Sequence, residues 1–151
     1  MNDVTKINLE EIKALVTNVF LKQGCNKVNA EALARTITKA EEDGASSHGL
    51  FRVPGYVASL KSGKVNGKAS PKVKNVTPVI LQCDADNGFA STAHEKALPM
   101  LAEAAKTNGI SVLSIKGCYH FAALWPETEY LAQQNPLLRK LKSDLDLDIT
   151  Y

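Results

Sequence analysis

Nothing in this chain approaches the run of about 20 apolar residues that a membrane-spanning helix requires. Its opening stretch, MNDVTKINLEEIK, has no apolar core of the kind a secretory leader carries. Cysteine is scarce and odd in number, with Cys25, Cys83 and Cys118 too widely spaced to read as a disulfide framework. The reduced cytoplasm is therefore the expected compartment. Charge of neither sign predominates, because 18 Lys and Arg residues stand against 16 Asp and Glu and lie dispersed along the chain. That distribution offers no basic stripe to nucleic acid and no cationic patch to an anionic membrane, so neither is expected as a partner. The glycine signatures of nucleotide sites are missing as well: no G-x-G-x-x-G follows a strand pattern, and no G-x-x-x-x-G-K-[ST] occurs. Internal repeats and low-complexity tracts are likewise absent.

What is present is a chain of 151 residues, 44% hydrophobic and 23% charged, the balance of a globular protein able to bury one core. Asn8 followed by Glu11 reads as a capping box, and Ile12, Leu15, Val16, Val19 and Phe20 then share a helical face up to Gly24. A second helix is expected from Asn29 as its cap, with Leu33, Ile37 and Ala40 in one stripe and Gly44 at its end. After a polar turn over 45–52, Pro54 suits the first turn of a third helix that runs through Tyr56, Val57 and Leu60 to Gly63. Strands are expected over 73–76 and 79–84, followed by an Asp86-Asn87-Gly88 turn. A long helix then points Ala93, Ala97, Met100, Leu101 and Ala104 at a core and stops at Asn108-Gly109. The apolar run 110–115 reads as a further strand, KGCYHF as a loop, and 122–134 as a last helix. The fold class is thus α/β, with an N-terminal three-helix segment over 1–63, an α/β region over 64–134 and a charge-rich tail over 135–151. Ligands of open α/β sheets bind beyond the carboxyl ends of strands, which directs attention to residues 117–121.

The densest polar cluster is Asp43-Gly-Ala-Ser46-Ser47-His48-Gly49, with Arg52 and Tyr56 downstream. Histidine can give a proton to a developing amine or alkoxide, a neighbouring hydroxyl can orient its ring, and an arginine fork suits a carboxylate. A solvated turn, with a capping serine and a salt-bridged Arg52, accounts for the same spacing, and residue order alone leaves both readings open. A Ser–His hydrolase is disfavoured, since no G-x-S-x-G elbow surrounds Ser47. A metal site from Cys118, His120 and His48 has only a C-x-H spacing behind it, and none is expected. His94, set among alanines in the long helix, reads as structural or exposed.

The string Asp43-x-x-x-Ser47-His48-Gly49-x-x-Arg52-x-x-x-Tyr56 resembles the signature of the malate/L-lactate dehydrogenase-like oxidoreductases, which bind their cofactor without a Rossmann glycine motif. Cys118-Tyr-His120-Phe121 and HFAALWPETEYLA look like the branch that reduces Δ1-piperideine-2-carboxylate and Δ1-pyrroline-2-carboxylate, in proline and pipecolate metabolism. The similarity runs from about Leu9 to Gln134. It implies an NAD(P)H-dependent oxidoreductase acting on a cyclic imino acid or a 2-keto acid, with NADPH, or NADH, as cofactor. His48 would be the proton donor, Ser47 its relay partner and Arg52 the carboxylate holder. His120, Phe121, Ala122, Ala123 and Leu124 would line the cofactor site. The resemblance also implies a homodimer. Family members are considerably longer, and the tail from Asn135 departs from their pattern, as a frameshift, deletion or misplaced gene end would make it. The expectation is a truncated chain with little or no turnover alone; the alternatives are a non-catalytic fragment that docks on a full-length homologue, or a remnant without function.

Overall fold

A computed structural model describes residues 6–119 together with Tyr130, Leu131, Gln133, Gln134 and Lys140. Helix α1 (Leu9–Lys22) begins at the expected capping box: the Glu11 N–H donates to Asn8 Oδ1 and the Asn8 N–H donates to Glu11 Oε2, both at 2.9 Å. Each bond satisfies an N–H that the helix itself leaves without a partner. Ile12, Val16 and Phe20 are buried, whereas Leu15 remains 51% exposed. The apolar stripe is therefore narrower than its hydrophobic residues suggest.

Helix α2 (Lys27–Glu42) has its cap three residues before the expected one, because Asn26 caps it and accepts from the Asn29 N–H at 2.9 Å. Asn29 itself is fully buried inside the helix, where its amide donates to the Ala69 carbonyl and accepts from the Thr92 hydroxyl, each at 2.8 Å. A buried amide costs free energy unless its bonds are made. Here they tie α2 to the loop before the sheet and to the start of the long helix. Two short 3₁₀ turns, Ser46–His48 and Leu50–Arg52, lead into α3 (Val53–Lys61), which carries Pro54 in its first turn as expected.

The sheet has three strands in the order β1 (Lys72–Asn75), β2 (Ile80–Phe89), β3 (Val112–Tyr119), with β1 and β2 antiparallel and β2 and β3 parallel. Helix α4 (Ala90–Asn108) makes the crossover between β2 and β3 and ends at Gly109, which stands at φ 80°. Asp86-Asn87-Gly88 is not a chain reversal. Asp84 pairs with Lys116 and Gly88 with Cys118, four steps along β2 against two along β3, so the segment is a bulge within a continuing strand. Asp86 and Asn87 take φ of 54° and 53°, a conformation that Asp and Asn tolerate better than most residues. The Asp84 carboxylate receives the Asp86 N–H and lies beside Lys116, and both hold its pKa below the usual range. Residues 116–119, expected as loop, prolong β3 instead.

Two packed clusters share the molecule. In the larger, Phe20, Leu33, Ile37, Tyr56 and Phe89 meet, so the end of β2 enters the core of the helical segment. Tyr56 and Phe89 stand edge to face at 5.2 Å, and Phe89 and Tyr119 do so at 6.1 Å. The smaller cluster, Cys83, Ala85, Ala93 and Ala97 with Val73, Leu113 and Ile115 beside it, joins α4 to one face of the sheet. Met100, expected in that layer, is 39% exposed. The other face carries Lys72, Lys74, Gln82, Asp84, Ser114 and Lys116 at paired positions and is polar except at one end, where the exposed Ile80 and Val112 pair. No helix among the described residues is long and apolar enough to cross a membrane.

Candidate functional site

The last turn of α2 delivers the chain to Gly44, at φ 71°, where it reverses into the two 3₁₀ turns. The first is closed by the His48 N–H donating to the Ala45 carbonyl at 2.8 Å, and the second by the Arg52 N–H donating to the Gly49 carbonyl at 3.0 Å. Ser47 Oγ lies 3.0 Å from His48 Nδ1, and Arg52 Nε donates to the Ser47 carbonyl at 2.7 Å. Ser47, His48 and Arg52 are thus linked in one bonded unit. Asp43 of the same signature forms an ion pair with Lys39 at 2.8 Å on the end of α2.

Beside this unit lies a cleft of about 310 Å³ lined by Phe51, Arg52, Gly55, Tyr56 and Tyr119. Tyr56 is buried, and that burial raises its phenol pKa, with the Arg52 charge pulling the other way and Tyr119 adding to the rise. Ser59 Oγ lies 2.9 Å from the Gly55 carbonyl and 2.7 Å from Tyr119 Oη. A serine hydroxyl has one proton, so the arrangement that satisfies both contacts has Ser59 donating to Gly55 and Tyr119 donating to Ser59. Tyr119 is thereby clamped to α3, and the carboxyl end of β3 becomes a wall of the cleft. Ligand binding was expected in that region from topology alone. Phe51, 77% exposed, stands at the mouth.

Phe51 and Glu41 were not singled out from the sequence, and Tyr119 entered only within the stretch 117–121, expected as a loop. Glu41 belongs to the site through a bond to Leu50, nine residues on, which no helical spacing announces. His120, Phe121, Ala122, Ala123 and Leu124, and with them the Cys118/His120/His48 grouping, lie outside the described residues. Among the described residues no group of three or more His, Cys, Asp or Glu side chains is placed to hold a metal.

A second hollow, about 390 Å³ between α2 and α4, includes Arg35, Lys39, His94 and Glu95. Its arginine fork is already closed on Glu95 by two bonds of 2.7 Å, which leaves it poorly disposed toward an added anion. His94 lines this hollow, whereas Arg52 lines the cleft described above.

A helical segment feeding a mixed sheet, with a Ser-His-Gly turn next to a cleft that the end of a parallel strand helps to line, makes an α/β unit without a Rossmann glycine loop. The chain belongs to the malate/L-lactate dehydrogenase family, which matches residues 7–138. It is 43% identical over 129 residues to the Delta(1)-pyrroline-2-carboxylate reductase of Ancylobacter novellus, covering 85% of this chain and 38% of that protein. To the Delta(1)-pyrroline-2-carboxylate/Delta(1)-piperideine-2-carboxylate reductase of Pseudomonas putida it is 41% identical over 131 residues, 87% of this chain and 38% of the relative. The crystal structure of delta1-piperideine-2-carboxylate reductase from Pseudomonas syringae superposes with a TM-score of 0.83 at 40% identity, over 87% of this chain and 40% of that one. The chain therefore spans about 38% of the length of the curated relatives it matches.

Proposed function

We propose that this chain carries the proton-donating and carboxylate-binding part of a reductase that acts on a cyclic imino acid, Δ1-pyrroline-2-carboxylate or Δ1-piperideine-2-carboxylate, with a 2-keto acid as the less favoured substrate. The observation that carries the reading is the bonded unit of Ser47, His48 and Arg52 at the edge of an aromatic cleft. Relatives named for those imino acids support the choice of substrate. Arg52 spends Nε on the Ser47 carbonyl, so its terminal nitrogens are the part that forks to a substrate carboxylate. Tyr56 and Tyr119 supply flat walls for a small ring and keep water from it. Ser47 engages His48 at Nδ1, which makes Nε2 the atom that delivers a proton to the ring nitrogen of the imine. A nicotinamide cofactor, NADPH in preference to NADH, supplies the hydride when bound. The described residues fit the flat ring and the anion of the substrate. His120 to Leu124, the next residues along the chain after Tyr119, would hold the cofactor. Three free thiols, Cys25, Cys83 and Cys118, suit a reducing cytoplasm.

The test is binding and turnover in parallel. Titration of the 151-residue chain with pyrrole-2-carboxylate, a flat and unreactive analogue, is expected to perturb the Tyr56 and Tyr119 resonances. Arg52→Ala should weaken that binding by roughly tenfold or more, the scale of a charge-assisted hydrogen bond. NADPH consumption with the two imino acids and with pyruvate then ranks the substrates, and His48→Ala should abolish whatever rate is found while leaving analogue binding in place. Analogue binding indifferent to Arg52 would sink the reading.

A second reading, docking on a full-length homologue or on another copy, is favoured by one observation. Among the described residues β3 pairs only with β2, and Val76, Ile80, Ile110 and Val112 are exposed at that end of the sheet. Size-exclusion chromatography with a full-length relative at micromolar concentration decides it, since an unshifted elution removes the reading.

A further inference from the structure

Glu41 stands in the last turn of α2, where a carboxylate is poorly placed against the partial negative charge of a helix C-terminus. Its use lies across the turn. Oε1 accepts the Leu50 N–H at 2.6 Å, the first N–H of the second 3₁₀ turn, which has no partner within that turn. The same carboxylate occupies the space beside Gly49, and a Cβ added there would collide with Glu41 Oε1. Gly49 is buried at the joint between the two 3₁₀ turns, so the glycine of the Ser-His-Gly string is needed to admit the carboxylate. Above the joint sit Ser47 and His48, and behind it Arg52 reaches back to the Ser47 carbonyl.

We infer that Glu41 is a positioning residue for His48: by holding the Leu50 N–H and filling the space at Gly49, its carboxylate sets the direction in which the Ser47–His48 pair faces. The inference rests on the role given to His48 above and adds to it the group that aims the histidine. Two supports act on the turn from opposite sides. The Arg52 bond to the Ser47 carbonyl fixes the start of the joint, and the Glu41 bond to Leu50 fixes its end. With either missing, the two 3₁₀ turns can rotate about Gly49, and the imidazole turns with them. The required property of residue 41 is an oxygen acceptor at the right reach. Glutamine meets that requirement, and it also removes the charge that opposes the α2 dipole.

The experiment uses the whole 151-residue chain without substrate, comparing Glu41→Gln and Glu41→Ala with the parent by nitrogen-15 NMR. In the parent, the Leu50 amide should be shifted downfield and slow to exchange, and the His48 ring nitrogens should report one predominant tautomer. In Glu41→Ala the Leu50 amide is expected to exchange about tenfold faster or more, the loss of one hydrogen bond to a charged acceptor. The His48 ring signals should move toward a tautomer mixture. Glu41→Gln should restore both. Should the alanine variant fail to fold, Glu41→Asp replaces it, because its shortened arm withdraws the acceptor from Leu50 and is expected to give the same two changes. Unaltered His48 ring signals in a folded variant that has freed Leu50 would overturn the inference, and so would a glutamine variant that behaves like alanine. If the signals move as expected and no imino acid or keto acid is ever reduced, the positioning stands and the reductase reading is the one that falls.

Discussion

The helical segment and the sheet layer bury themselves by opposite means. Around Phe20 the first uses large side chains, with Phe20, Leu33, Ile37, Tyr56 and Phe89 interlocked and almost wholly withdrawn from water. Between α4 and the sheet the second uses alanine and cysteine, so the helix lies close on strands whose opposite face is lysine-rich. A large-side-chain core is sensitive to deletion, whereas a small-side-chain layer is sensitive to addition. The site sits where the two systems touch, with Arg52 and Tyr56 from the helical side and Tyr119 from the end of β3. An aromatic chain of contacts, Phe20 to Phe89 to Tyr119, connects them.

The sharpest way to break this comparison is Phe20→Ala. It removes the central ring of the large core and should cost about 3–5 kcal/mol in urea denaturation, enough to unfold much of a marginal domain. A loss under about 1 kcal/mol would mean that the helical core is not the main anchor. Next comes Ala97→Leu in the thin layer, expected to cost about 1–3 kcal/mol by overpacking. A neutral or stabilising result would show that α4 has room to lift from the sheet. The smallest effect concerns acidity. Burial pushes the Cys25 thiol up to about 11 from an ordinary value of 9.0, so the native state keeps its proton where the unfolded chain has lost it. Stability should therefore decline as pH rises through 9 toward 11, and Cys25→Ala should flatten that decline. Equal slopes for parent and variant would show that the thiol is solvated in the native state.

Much of the architecture could be read locally. The Asn8–Glu11 box, Pro54 in the first turn of α3 and the Gly109 stop are contacts or dihedrals settled within a few residues, and each is found where the spacing puts it. The readings that failed did so where a distant partner overrides a local preference. Asn29 looks like a cap, but Ala69 and Thr92, 40 and 63 residues away, draw it inside the helix. Asp86-Asn87-Gly88 has the chemistry of a turn. Asn66 and Ser70 bind Asp86 from outside, and the strand resumes beyond it as a bulge. Leu15 and Met100 keep helical phase with buried neighbours and yet remain exposed.

The candidate site divides along the same line. Ser47, His48 and Arg52 lie within six residues of one another, so their composition and much of their mutual geometry follow from a short stretch of backbone. Tyr119 reaches the cleft only because β3 runs parallel to β2 and ends over the helical core, and Glu41 meets Leu50 only because α2 ends where the two 3₁₀ turns fold back. The sequence by itself determined the family, the start of α1, the first turn of α3, the end of α4 and the reactive residue types, since these depend on neighbours along the chain. Tertiary structure alone decided which side chains wall the cleft and which carboxylate stands behind the histidine, because those contacts join residues whose separation along the chain carries no periodic signal.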